Sequence, residues 1–326
     1  MKNRKINLLI VILFSFIIGI ISAGTSYTQT DSAKTPAELD GHRFLNNTAL
    51  ELPFLETYYK TLIGAGQTAD LELPDIYIND KKVINLRGNV VYTDLMFVYQ
   101  QQIRDWLAFN GSVNVYLKAG TEAGALISEG MNVATSFYLA WKVKTYQNKK
   151  MQLSSSLYLS RNDFTVIDLY GFVKGIIDSN GITKENKLVK SIPLTRGGLK
   201  MNYVYAFNKT FGAIANATID YGESAYRTEG DAWNYSYGLG FEADLYPVHD
   251  VPLGFLAGFK HASIPTTREQ TEKQPNILLF QFNYTGKKFL NLGAEITYQW
   301  YKPERYKDYI NYIKFVTFAV NSTVYL

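Results

Sequence analysis

From about residue 57 onward the chain alternates. In Phe289–Tyr301 (FLNLGAEITYQWY), Leu290, Leu292, Ala294, Ile296, Tyr298 and Trp300 share one parity, and Asn291, Gly293, Glu295, Thr297 and Gln299 share the other. Successive side chains of a strand point to opposite faces, so a period of two marks a strand whose faces meet different surroundings. The pattern recurs near 57–67, 89–102, 107–119, 132–146, 151–161, 198–207, 211–221, 232–246, 253–262, 276–285, 289–301 and 310–326. An all-β chain of about twelve strands is expected. Most segments run to ten residues or more, which suits a tilted strand crossing a bilayer better than a sandwich strand of about 5–6 residues.

The connections alternate in length. Residues 103–106, 147–150, 208–210, 247–252 and 286–288 are short; 68–88, 120–131, 162–197, 222–231, 263–275 and 302–309 are longer. Tight turns at one end and long loops at the other, with both termini on the short-turn side, are the plan of a transmembrane barrel.

The two faces decide between a soluble sandwich and a membrane barrel. Trp233, Tyr235, Tyr237, Leu239, Phe241 and Leu245 oppose Asn234, Ser236, Gly238, Gly240, Glu242 and Asp244. A sandwich turns the apolar set inward, whereas a barrel turns it to lipid and the polar set to the lumen. The polar faces are rich in Gly, Ser, Asn and Thr with scattered charge, as a crowded lumen requires. Trp233 and Trp300 fall near long-loop ends and Trp106 and Trp141 toward short-turn ends, where aromatic girdles at two membrane interfaces would place them. The reading is a closed antiparallel transmembrane β-barrel over 57–326. Closure also removes sheet edges, which lipid does not tolerate.

At this point the chain resembles the outer-membrane β-barrel proteins of Gram-negative bacteria, at the level of architecture and without a specific family motif. Such proteins typically end on an aromatic residue. Here Val316, Phe318, Val320, Val324 and Leu326 share a parity that Ser322 interrupts, and the terminal residue is Leu326. The resemblance implies outer-membrane lipid and the barrel assembly machinery as partners.

Lys2, Arg4 and Lys5, an apolar run from Ile6 to Ile21 and the small residues at Ser22-Ala23 read as a signal peptide over 1–23, the alternative being an uncleaved anchor. Those three cations belong to a net charge of +4, so about +1 remains, and no basic excess suggests nucleic acid. There is no cysteine, which excludes a lipoprotein anchor, disulfides and thiolate metal sites. No cofactor is expected, since neither a metal spacing nor a phosphate loop occurs. Residues 24–56 form a pre-barrel segment. Its part Gly41–Pro53 carries Phe44, Leu45, Leu50 and Leu52 among polar residues and reads either as a hatch inserted in the lumen or as a periplasmic tail.

Parity assigns Asp94, Lys118, Lys142, Lys144, Lys200, Asp220, Glu242, Asp244 and Glu295 to the lumen. They are either a selectivity-tuning pathway or ion pairs that fill a closed interior. In the loop 162–197, Val166, Leu169, Val173, Ile176 and Ile177 recur at helical spacing. This predicts a plug helix over the mouth, a helix on the membrane surface, or a loop packed on its neighbours. His261 and Ser263, two apart on the parity of Phe255 and Phe259, form a conceivable dyad facing lipid headgroups. The expected function is passage or uptake of small or hydrophobic molecules by a porin-like barrel without enzymatic activity. The alternatives are a closed structural or adhesive barrel and an interfacial lipid-modifying enzyme.

Overall fold

The structure, a computed structural model, describes residues 38–69, 76–78, 81–84, 90–120, 130–167, 178, 189–223, 231–265, 272–273, 275–301 and 313–326. Among these, twelve long strands form one closed ring. They are β3 (Tyr58–Ala69), β6 (Val90–Arg104), β7 (Leu107–Gly120), β8 (Gly130–Gln147), β9 (Met151–Ile167), β10 (Val189–Ala206), β11 (Phe211–Glu223), β12 (Asp231–Asp244), β13 (Leu253–Pro265), β15 (Asn276–Lys287), β16 (Leu290–Tyr301) and β17 (Ile313–Tyr325). Five short strands are not members of the ring: β1 (Glu38–Leu39), β2 (His42–Arg43), β4 (Ile76–Ile78), β5 (Lys81–Ile84) and β14 (Glu272–Lys273). The connection after β12 carries one helical turn, α1 (Tyr246–His249).

Each barrel strand pairs antiparallel with its neighbour in sequence, and β17 closes the ring on β3 from Lys314↔Ala69 to Tyr325↔Tyr58. Every predicted strand is present. The alternation has the orientation inferred from composition. On β12, Trp233, Tyr235, Tyr237, Leu239 and Phe241 (66% exposed) face outward, while Gly238, Gly240, Glu242 and Asp244 are buried. On β16, Leu292 and Ile296 face outward and Asn291 and Glu295 inward. A closed barrel with an apolar outside and a polar inside is shaped for lipid. Trp106, Trp141 and Trp233 are exposed on that surface, and Trp141 stacks edge-on against Phe109, the third residue of β7, with ring centroids 5.2 Å apart. Ser322, the polar interruption of the last outward row, bonds Thr61 across the β3–β17 seam at 2.9 Å, so neither hydroxyl faces lipid unpaired.

One expectation is corrected in part. The pattern predicts a long connection over 162–197, but β9 runs on to Ile167 and β10 starts at Val189, with Ile167 opposite Val189 and Phe164 opposite Ile192. Val166 is therefore a strand residue, opposite Lys190, and no part of a helix. Phe164, Thr165, Val166 and Ile167 are aromatic or β-branched, and cross-strand pairing outweighs a helical spacing that such residues also meet by chance. Leu169, Val173, Ile176 and Ile177 lie outside the described residues, as does the signal segment 1–23.

Candidate functional site

The site begins with a turn. Leu39-Asp40-Gly41-His42 folds as a two-residue hairpin, β1 against β2, with Leu39 opposite His42. Asp40 and Gly41 both take positive φ (51° and 79°), as this hairpin type requires and as an Asp-Gly pair readily supplies. The chain then runs through residues 44–57 without a ladder partner and is buried from His42 to Asn47 and from Leu52 to Leu55. Its contacts reach inward-facing side chains round the ring, from Lys60 of β3 and Gln100 of β6 through Lys200 of β10 to Gln281 of β15 and Glu295 of β16, which puts it inside.

A backbone without a ladder needs other partners when buried, and the polar wall provides them. Gln100 donates to the carbonyls of Phe54 (3.0 Å) and Glu56 (2.8 Å), Gln152 to Pro53 (3.0 Å), Asn216 to Glu51 (2.8 Å) and Gln281 to Asn46 (3.0 Å). The Leu45 amide donates to Glu242 at 3.0 Å. Asn47 turns the chain locally, accepting from the Leu50 amide at 2.6 Å.

Charge fixes the segment at three points. Arg43 donates to the carbonyls of Thr285 (2.7 Å) and Lys288 (3.1 Å) at the short-turn rim. His42 and Glu242, both fully buried, pair at 3.0 Å, and the other ring nitrogen of His42 lies 3.3 Å from the Lys209 carbonyl. The third point is Glu51, whose two oxygens stand 2.6 Å from Lys142 Nζ and 2.8 Å from Lys200 Nζ. Burial pushes the Glu51 carboxyl up, but the two ammonium groups outweigh it and bring it from 4.5 down to about 2.

The apolar side chains of the segment meet one arc of the wall. Phe44, Leu45, Leu50, Leu52 and Phe54 pack with Val204, Ala206, Ile214, Leu256 and Leu279 of β10, β11, β13 and β15. Glycine makes the closest approach feasible. A methyl group at Gly238, Gly240 or Gly258 would come within 2.4 to 3.0 Å of Leu50, and one at Gly254 within 2.8 Å of Leu45. The facing arc is polar, with Lys60, Gln100, Asn110, Lys142, Gln152 and Asn321 buried on it.

The charges assigned by parity divide. Lys142, Lys200, Glu242 and Glu295 hold the segment, Glu295 by accepting from Thr48 and Asn321. Asp244 is buried beside it and accepts from Thr285 at 2.9 Å. Asp220 lies nearer the long-loop end, accepting from Tyr158 at 2.8 Å and from Arg196. Asp94 stands inward on β6 opposite Tyr116. The backbone of Lys118 pairs with Tyr92, and its side chain lies outside the described residues. Lys144 does not join the cluster: it bonds Gln147 at 2.9 Å in an exposed position at the short-turn rim, next to a register shift in β8. His261 faces outward and pairs with Asn276 at 2.8 Å, stacked on Tyr237 at 5.2 Å. The Ser263 side chain lies outside the described residues. Among the described residues no cluster of His, Asp and Glu could hold a metal. Sequence reading missed Glu51, the partner of both lysines, and Arg196, which fell within the supposed loop.

No family model matches the chain, and no curated protein sequence does. Solved structures do. An outer membrane channel from Pseudomonas putida F1 is similar over 91% of this chain and 100% of its own, at 10% identity and a TM-score of 0.52. A FadL homologue from Pseudomonas aeruginosa is similar over 89% and 96%, at 11% identity and a TM-score of 0.48. The chain has the fold of an outer-membrane β-barrel.

Proposed function

We propose that the protein is an outer-membrane channel for small or hydrophobic molecules, closed by its own segment Glu38–Thr57 acting as a hatch. The observation that carries this is the seating of Glu51 on Lys142 and Lys200 inside the ring. The segment is tied to the wall by side chains rather than by a β-ladder, so it can leave without opening the ring. Departure would uncover an apolar arc, Val204, Ile214, Leu256 and Leu279, beside a polar one. A passage with both faces admits molecules that are partly apolar. The P. putida relative is described as an outer membrane channel, in agreement with this reading.

A closed structural barrel is the second reading, favoured by the complete burial of Phe44, Leu45 and Leu50. Planar-bilayer recording separates the two. The hatch reading expects rare or no conductance steps from the intact protein and sustained steps when residues 38–56 are deleted. Silence from a correctly folded deletion variant would refute it and leave the closed barrel.

A further inference from the structure

Glu51 meets the barrel wall as a ligand meets a receptor. Lys142 projects from β8 and is 1% exposed; its remaining bonds go to Gln100 of the wall (2.9 Å) and to the Leu52 carbonyl of the segment (3.0 Å). Lys200 projects from β10 over the Tyr138 ring, 4.6 Å from its centroid. Among the described residues, Glu51 is the one carboxylate paired with either lysine, and it belongs to the segment rather than to the wall. If the segment leaves, two ammonium groups stay behind side by side on the wall without their counter-charge, a place that another anion can take.

We propose that Lys142 and Lys200 form a binding site for the carboxylate group of a small organic acid, which Glu51 occupies in the closed protein as a tethered stand-in. The inference rests on reading Glu38–Thr57 as a hatch and names what replaces it. One oxygen on each lysine is a bridging arrangement that the two oxygens of a carboxylate span. Leu50, next to Glu51 in the segment, fills a slot over Gly238, Gly240 and Gly258, and its departure frees that slot for the aliphatic body of such an acid. The acid and the hatch then compete for one place, and the solute itself holds the channel open.

The test is binding of 13C-labelled acetate to the full-length protein in detergent, read as broadening of the acetate methyl resonance. The native protein should give none, since Glu51 fills the site. Glu51→Gly should broaden the line, and adding Lys142→Met and Lys200→Met to it should abolish the broadening. Heat-modifiable electrophoretic mobility verifies that each variant is folded, and Glu51→Ala serves if Glu51→Gly is not. Absence of broadening in a folded Glu51 variant overturns the proposal. So does broadening that survives loss of both lysines, or that chloride at equal concentration removes. Binding needs no open channel. Acetate bound to a barrel that stays silent after deletion of 38–56 removes the hatch and keeps the site, whereas conductance without acetate binding does the reverse.

Discussion

Leu50 offers the sharpest measure of how firmly the segment is held. Its side chain is fully buried in a slot floored by Gly238, Gly240 and Gly258, with closest approaches of 2.4, 2.6 and 3.0 Å from a methyl group built at each glycine. Leu50→Ala removes three carbons from a site whose floor is backbone of barrel strands and cannot collapse inward. A buried Leu→Ala change typically costs about 2–5 kcal/mol. At about 3 kcal/mol, and about 1.4 kcal/mol per tenfold, the fraction of molecules with the segment released should rise about 100-fold. Single-channel open probability measures this, and faster hydrogen exchange at the amides of residues 42–54 should follow it. Gly240→Ala makes the opposite error, placing a methyl 2.6 Å from Leu50 Cδ1, and should also loosen the segment. The two changes together should then be less harmful than their sum, because the new methyl enters the space that the leucine vacates. Leu157→Ala, on the lipid face and 63% exposed, is the control. Unchanged open probability and exchange in folded Leu50→Ala, or strict additivity with Gly240→Ala, would refute the reasoning.

Three other outcomes are expected. The Glu51 carboxyl is lower in the folded protein than free, so its contribution is complete above about pH 4.5 and is lost as pH falls through about 2; the stability difference between native protein and Glu51→Gln should hold from neutral pH to about 5 and shrink toward 2 in acid unfolding. His42→Ala strips Glu242 of its imidazole partner at full burial and leaves it the Leu45 amide, and breaking such a pair costs about 3–5 kcal/mol; limited proteolysis near Arg43 should accelerate in this variant, and far less in His42→Ala combined with Glu242→Gln. Leu239→Arg puts a charge on the outward face near the middle of β12 and should destabilise folding in lipid vesicles by about 2–4 kcal/mol, while an arginine near the rim at Phe211 should cost about 1 kcal/mol or less.

Much of the scaffold was legible because its signal is local. Period-two alternation in a segment such as Trp233–Leu245 marks a strand and sorts its faces without knowledge of any other segment, and the Trp positions then orient those faces toward lipid. The same locality misled at Val166, where residues spaced three and four apart suggested a helix although Ile167 had a strand partner at Val189, 22 positions away in sequence. Arg196 went unseen for the same reason: it lies in the part of β10 taken for a loop, yet it donates to Asp220 and to carbonyls of β11 and β12.

The amino-acid order by itself determined twelve strands, their direction, the lipid-facing rows and a pre-barrel segment able to enter the lumen, because each follows from side chains within a few residues of one another. It did not determine where that segment goes or which charges meet. Glu51 precedes Lys142 by 91 positions and Lys200 by 149, and His42 precedes Glu242 by 200. Parity placed the two lysines and Glu242 inside, but inside a ring every strand faces every other. Only ring closure fixed the distances that turn separate inward charges into a latch.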